Sequence, residues 1–396
     1  MTFGATNSVL RVRTPHGHTR VTFVELFFDL VFVFAITQVS HFLLEHFSVA
    51  GVLQASILFC AVWWCWINTS WVTNWLDPDT IPVRLMLFVL MLAGLVMSTS
   101  LPQAFESRGV AFALAYAAAQ VGRCLFMLWS VRKHHSQNYL NFQRILAWLS
   151  LSALFWIAGA FAALDLRYIL WLIAIAIEFA APATGYWTPG FGRSATTDWE
   201  VEGDHMAERC GLFVIIALGE SILVTGATFA KMEWSLAVVA AFAVAFTGSV
   251  AMWWIYFNIG ADRARHRIAD SDDPGRYARI AYTYVHMLLI AGIIVGAVSD
   301  ELILTHPAGH TDFKTAATTI GGPVLFLIGN ILFKRIMTGR PTLSHWIGLA
   351  LLVLLFPCAS LLMPLAFGAC ATAIMVLVAV WETRSFANGS TGDASG

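Results

Sequence analysis

Charge is what this sequence has least of. Asp, Glu, Lys and Arg make up only 12% of its 396 residues, about half the share found in soluble domains. Lysine is nearly missing, with four residues among 23 basic ones, and the net charge is −1. That balance provides no basic surface for a nucleic acid, so none is expected as a partner. Also absent are a glycine-rich phosphate loop, an HExxH metal motif and a nucleophile elbow; Ser221 follows "LGE" but lies inside an apolar run. No polar stretch is long enough to fold alone. An enzyme is therefore not expected, nor a cofactor or a metal. The cysteines at 60, 65, 124, 210, 358 and 370 fall inside apolar runs without metal-ligand spacing, which reads as small buried hydrophobes.

What fills the sequence instead is hydrocarbon. It is 58% hydrophobic with a mean hydropathy of +0.72, the composition of an integral membrane protein. A spanning helix needs about 20 apolar residues. Runs of that kind lie near 22–44, 50–72, 82–102, 108–130, 143–164, 167–187, 206–230, 234–258, 278–302, 316–337, 342–362 and 363–383. Turn-forming stretches separate several of them: "DPDTIP" at 77–82, "TPGFG" at 188–192, "DDPG" at 272–275 and "TGRP" at 338–341. The expected fold is all-α and polytopic, with about 12 transmembrane helices. Residues 1–20 are polar and basic, and the run after them is too long for a signal-peptide core, so it reads as a signal anchor. Membrane lipids are the expected surroundings.

Orientation follows from the basic residues. With a cytoplasmic N-terminus, seventeen Arg and Lys fall on the cytoplasmic side and four (Arg108, Arg167, Lys231, Lys314) outside. This predicts a bacterial inner-membrane protein with both termini cytoplasmic. Three local similarities recur at six-helix spacing: "AVWWCWIN" at 61–68 with "AMWWIYFN" at 251–258, "GRCLF" at 122–126 with "GNILF" at 329–333, and "ELFFDLVFVFAITQ" from Glu25 with "ERCGLFVIIALGES" from Glu208. They predict two parallel six-helix repeats: 1–187 as the first, 188–204 as a cytoplasmic linker, 205–384 as the second, and 385–396 as a disordered tail.

Ionisable groups inside a membrane are costly, so each is a functional candidate. Glu25 and Asp29 share a face of the first helix. Asp29 lies nine residues beyond Arg20, about 13 Å along a helix. Arg123 lies nine residues before Arg132 and hence at a similar depth, which predicts an Asp29–Arg123 pair. Such a pair could flank a permeation route or simply lock two helices. Glu220 and Glu178 are each expected near mid-membrane without a partner in their own unit, a state suited to proton binding; Thr37 takes the place of Glu220 in the first repeat. Glu25 and Glu208 align at helix entrances, where the dipole favours a carboxylate. His286 is a further candidate, and His205 with Glu208 has the form of a metal pair without further ligands. Asn68 and Asn258 recur and read as hydrogen-bonding groups between helices.

"ELFFDLVFVFAITQVSHFLLEH" together with "ERCGLFVIIALGESIL" resembles the bacterial low temperature requirement protein A family, over essentially the whole chain. That resemblance implies the fold above but no biochemical activity, since the family name records a growth trait. The first helix is more distantly similar to that of the lysosomal potassium channel family, whose first helices line a pore. Glu25, Phe27, Asp29, Val31, Phe32, Ala35, Ile36 and Thr37 match its pattern. Phe28, Leu30 and Phe23 depart from its Ser, Gly and Arg. The likeness implies a channel-like or proton-coupled transport protein, carrying K+ or H+. A membrane-embedded enzyme or lipid-handling protein, and a structural or sensory protein with a solid core, are the alternatives. The oligomeric state is open, a homo-oligomer included.

Overall fold

The computed structural model describes residues 9–11, 20–132, 136–199, 201–258, 274–339 and 342–392. Among these the chain is helical, and the extended pairings are the isolated bridges Leu10–Leu76 and Thr188–Gly192. Twelve long helices follow one another: α1 Phe23–Glu45, α2 Val49–Thr73, α3 Ile81–Ser100, α4 Gly109–Val131, α5 Ser136–Phe161, α6 Leu164–Ala183, α7 Gly203–Phe229 and α8 Leu236–Phe257. Next, α9 opens with Pro274–Ala278, passes through a π-helical segment Arg279–Val285 and ends as His286–Thr305. Then come α10 Phe313–Thr338, α11 Leu343–Leu355 with a 3₁₀ extension Phe356–Leu361, and α12 Pro364–Gly392. Eleven of them are long and apolar enough to cross a membrane. The exception is α6, which carries Asp165, Arg167 and Glu178.

This is the all-α polytopic architecture that the hydropathy predicts, because a helix satisfies every backbone polar group within the segment itself. One boundary differs. The stretch after Arg384, expected as a disordered tail, is helical through Gly392, since an apolar helix already nucleated extends into residues that would not start one. The breakers "DDPG" and "TGRP" lie partly outside the described residues. Where caps are visible they use short polar side chains: Ser48 accepts from Gly51 N, Ser235 from Val238 N and Asp312 from Thr315 N. Gly339 closes α10 in the left-handed region at φ 69°.

Two compact units make up the chain. The first holds α2–α6, most of α1 and the opening of α7 as far as Arg209; the second holds α7 from Cys210, α8, α9 from Tyr277 and α10–α12. The first unit is filled by large rings. Trp156 lies with its ring 5.0 Å from Tyr116 and 5.1 Å from Trp171, and Phe112 is 5.6 Å from Trp171. Such pairs add about 0.5–1.5 kcal/mol each beyond the area they bury. Arg167, expected in an outer loop, is buried instead, donating to the main-chain oxygens of Ala104, Gly159 and Ala160.

The second unit relies on small residues where α9 meets α10. A Cβ on Gly322 would lie 2.7 Å from Gly296 N, and one on Gly292 would lie 2.7 Å from Phe326 N. The two backbones are therefore closer than any side chain allows. Gly322→Val should cost about 1–3 kcal/mol by overpacking, read as a lowered Tm of the purified protein in detergent. Gly226→Ala, where a Cβ meets nothing within 4 Å, should leave Tm unchanged or raise it.

Asp312 supplies a pH-dependent test of the same unit. Its bonds to the Thr315 side chain and main-chain N–H hold its carboxyl below the usual range. The stability from this cap is therefore present above the ordinary carboxylate pKa and lost as pH falls through the lowered value. Hydrogen-exchange protection at the start of α10 should drop in acid in the wild type. In Asp312→Asn, which caps without titrating, that pH dependence should vanish.

Candidate functional site

"TFVE" at residues 22–25 has the Thr-x-x-Glu form of a capping box. Glu25, the third residue of α1, reaches back so that its Oε2 accepts from the main-chain N and the hydroxyl of Thr22, at 2.9 and 3.0 Å. Arg11 Nη2 donates to the same oxygen at 3.2 Å. Arg11 is held there by its Nε bond to Thr73 O and by the pairing of Leu10 with Leu76. The other carboxylate oxygen meets His205 Nε2 at 2.9 Å.

The neighbours of His205 assign its tautomer. The amide of Asn74 is oriented by both backbone groups of Glu202, donating to its carbonyl and accepting from its N–H. Asn74 Nδ2 must then donate to His205 Nδ1, 3.2 Å away. The ring proton is left on Nε2, aimed at Glu25 at 2.9 Å; Arg11 Nη2, 3.2 Å from the same nitrogen, therefore gives its proton to Glu25 and not to the ring. Glu25 and His205 are both fully buried.

One helical turn further in, Asp29 is also fully buried, and its partner is Arg209. Arg209 Nη1 donates to Oδ2 at 2.9 Å, and Nη2 lies 2.8 Å from Oδ1. This is the two-pronged geometry that suits a guanidinium to a carboxylate. Trp66 Nε1 donates to Oδ1 at 2.7 Å, and its ring lies under the guanidinium with the centroid 5.6 Å from the Arg209 Cζ.

The expected Asp29–Arg123 pair is therefore not formed. Arg123 donates to Gln120 Oε1, to Thr69 Oγ1 at 3.1 Å and to Cys65 O at 3.2 Å. No described carboxylate lies within ion-pair distance of it. The physical reason is where α7 begins. Because the helix starts at Gly203, Arg209 is its seventh residue, as Asp29 is the seventh of α1. His205 and Glu25 are likewise both third. Two segments that run parallel in register bring like ranks together.

Glu178, expected to lack a partner in its unit, has three. Tyr116 and Ser152 hydroxyls and Trp156 Nε1 donate to it. Gln120 Nε2 donates to Tyr116 Oη at 2.8 Å, and the same Gln120 accepts from Arg123. Thr69, which receives Arg123, adjoins Ser70, which lies 3.3 Å from Arg209 Nη2. Trp66, Thr69, Ser70, Thr73 and Asn74 thus form one polar stripe of α2 at helical spacing. A line of buried polar groups runs through the first unit from Glu178 to Glu25.

The remaining candidates stand outside that line. The Thr37 hydroxyl bonds back to Val33 O within α1. Glu208 is exposed and accepts from Val21 N, so it forms no metal pair with His205. Glu220 is half-buried in α7. His286 belongs to the second unit, where Nδ1–H donates to Ala281 O at 2.8 Å across the π-helical segment and Nε2 accepts from Tyr256 Oη at 2.7 Å. Asn68 bonds to Trp64 O of its own helix, and Asn258 to Thr383 Oγ1. Lys334, counted among the cytoplasmic loop cations, is buried against Glu382. Among the described residues no group of three or more His, Cys, Asp and Glu is arranged to hold a metal.

Residues 20–380 match the family described as bacterial low temperature requirement A protein (LtrA). The chain belongs to the LtrA family. An uncharacterized protein of Rhizobium meliloti (strain 1021) is 41% identical over 370 residues, covering 92% of this chain and 89% of the relative. No solved structure matches. In this LtrA chain the sequence singled out Glu25, Asp29, Arg123, Glu178 and His205 of the network but not Arg209. Its signal was nevertheless readable: Glu25 and Asp29 are four apart, and so are His205 and Arg209. The stripe on α2, and the donors Tyr116, Ser152 and Trp156, carried no charge to draw notice.

If Asp29 pairs with Arg209, Asp29→Asn leaves a buried guanidinium without its counter-charge, a loss of about 3–5 kcal/mol. Replacing both, as Asp29→Leu with Arg209→Met, should recover most of it. Arg123→Gln, which orphans no carboxylate, should cost less than either single change at the pair. Thermal unfolding of the four variants in one detergent makes the comparison. Equal losses at Arg123 and Asp29, with Arg209→Met tolerated, would restore the other pairing.

Proposed function

We propose that this LtrA protein is a membrane transport protein that moves protons, or couples their movement to that of a solute, along the polar line of its first unit. The observation that carries the reading is the line itself: Glu178, Tyr116, Gln120, Arg123, Thr69, Ser70, Arg209, Asp29, Glu25 and His205 succeed one another inside otherwise apolar helices. A network that served only to lock helices would satisfy each donor. Here the buried Arg209 Nε has no hydrogen-bond partner among the described residues, a cost of about 1–3 kcal/mol that a water accepting from it would relieve.

Charge favours a proton over potassium on this route. Arg123 and Arg209 cannot release their protons, so the transferable protons are those of the carboxyl, hydroxyl and imidazole groups along the line, whereas an alkali cation would have to shed its water in a dry interior. Glu178 and His205 can hold a proton without making room for an ion. Localisation in a bacterial inner membrane with both termini cytoplasmic belongs to the same reading, supported by the excess of Arg and Lys in alternate loops. So do the two six-helix repeats, supported by the three recurring segments.

Flux into liposomes carrying the purified protein, with protons and potassium followed separately, is the test. Proton flux is expected in the wild type, falling at least about tenfold in Glu178→Gln, whose amide keeps the size of the side chain but neither gains nor gives up a proton. Flux of neither ion from folded protein would sink the transport reading. Potassium flux alone would sink the selectivity argument.

A further inference from the structure

The second unit contains a cavity that the polar line of the first does not involve. Its volume is about 50 Å³, several times the roughly 10–15 Å³ that one water needs by the same measure. Five helices contribute oxygen to its wall: Ser221 from α7, Ser249 from α8, Ser299 and Asp300 from α9, Thr319 from α10 and Thr372 from α12. The Ser221 hydroxyl bonds to the Asp300 carboxylate, and Ser299 and Thr319 are bonded to each other at 2.7 Å. Among the described residues no Arg, Lys or His lines the space.

A second feature points the same way. Pro323 sits inside α10 and lines the cavity with Thr319. Proline has no N–H, so the Thr319 carbonyl four residues earlier is deprived of its helical partner. That carbonyl belongs to a residue of the same wall as the hydroxyls and the carboxylate. Oxygen ligands of this kind suit hard cations. A single carboxylate balances one positive charge; a divalent ion would leave an excess charge in the apolar interior.

We propose that the Asp300 cavity is a binding site for one dehydrated monovalent alkali cation, sodium or potassium. Asp300 supplies the counter-charge, and the hydroxyls with the Thr319 carbonyl replace the water shell. The cavity has room for the ion and a water besides. This site does not depend on the proton route of the first unit, since it requires binding and not flux.

The test is thermal unfolding of the purified full-length protein in one detergent and at one pH. Sodium chloride, potassium chloride and choline chloride are compared at equal ionic strength. Tm should rise with sodium or potassium along a saturating curve, as for any ligand that binds the folded state alone, and stay flat in choline. Asp300→Asn should abolish the response. Thr372→Val, which removes one oxygen and no charge, should shift the half-saturating concentration about tenfold or more upward, and it serves if the Asp300 variant fails to fold. Identical Tm in all three salts for the wild type would overturn the site, and so would Thr372→Val responding like wild type. Failure of the proton-flux assay would leave this outcome untouched.

Discussion

The first unit is organised around one constraint, that a carboxylate and a guanidinium have been taken out of water together. Asp29 and Arg209 are both fully buried, and moving either one alone into that interior costs several kcal/mol. The pair is tolerable because its charges are in close contact: one hydrogen bond and a second N–O approach of 2.8 Å, an indole N–H on one oxygen and an aromatic face beneath the cation. The rest follows from accommodating it. The opening turns of α1 and α7 have to run in register, which brings Glu25 to His205. The last two turns of α2 have to be polar on one side, which is why Thr69, Ser70 and Asn74 interrupt a tryptophan-rich run.

Arg11 completes this arrangement from outside the helices. Three short contacts position it: Nε on Thr73 O, its own main-chain N on Trp75 O, and Asp77 N on Val9 O. A segment of three described residues thereby places a cation on a buried carboxylate that already accepts from Thr22 and His205. The second unit manages its ionisable groups differently. Lys334 is matched by Glu382, while Asp300 faces a space rather than a partner cation.

Hydropathy made the helices legible, because twelve apolar runs of spanning length leave the backbone only one way to satisfy itself. It also exposed Asp29, since a carboxylate in such a run is conspicuous. What it did not convey was the partner. Counting residues inward from flanking cations measures depth but not facing, and Arg123 has a suitable depth while turning towards Gln120 and Thr69. Arg209 looked peripheral because it is only the fourth residue of the apolar run at 206–230, whereas it is the seventh of a helix that begins at Gly203. Asp300 was hidden for another reason. It lies near the end of its run beside Glu301, where a carboxylate reads as a loop charge.

The separation of the central pair along the chain has a consequence for biogenesis. Asp29 and Arg209 are 180 residues apart, and Glu25 and His205 are separated by the same interval. At typical synthesis rates of about 5–20 residues per second, α1 leaves the ribosome roughly 10–40 s before its counter-charge exists. During that time the nascent first helix carries its carboxylates with no cation from α7 to meet them. It must wait at the interface, or in the shelter of the insertion machinery, until five further helices have been made. The ion pair that organises the finished first unit therefore also sets the order in which the chain can settle into the bilayer, with the first helix among the last to be secured.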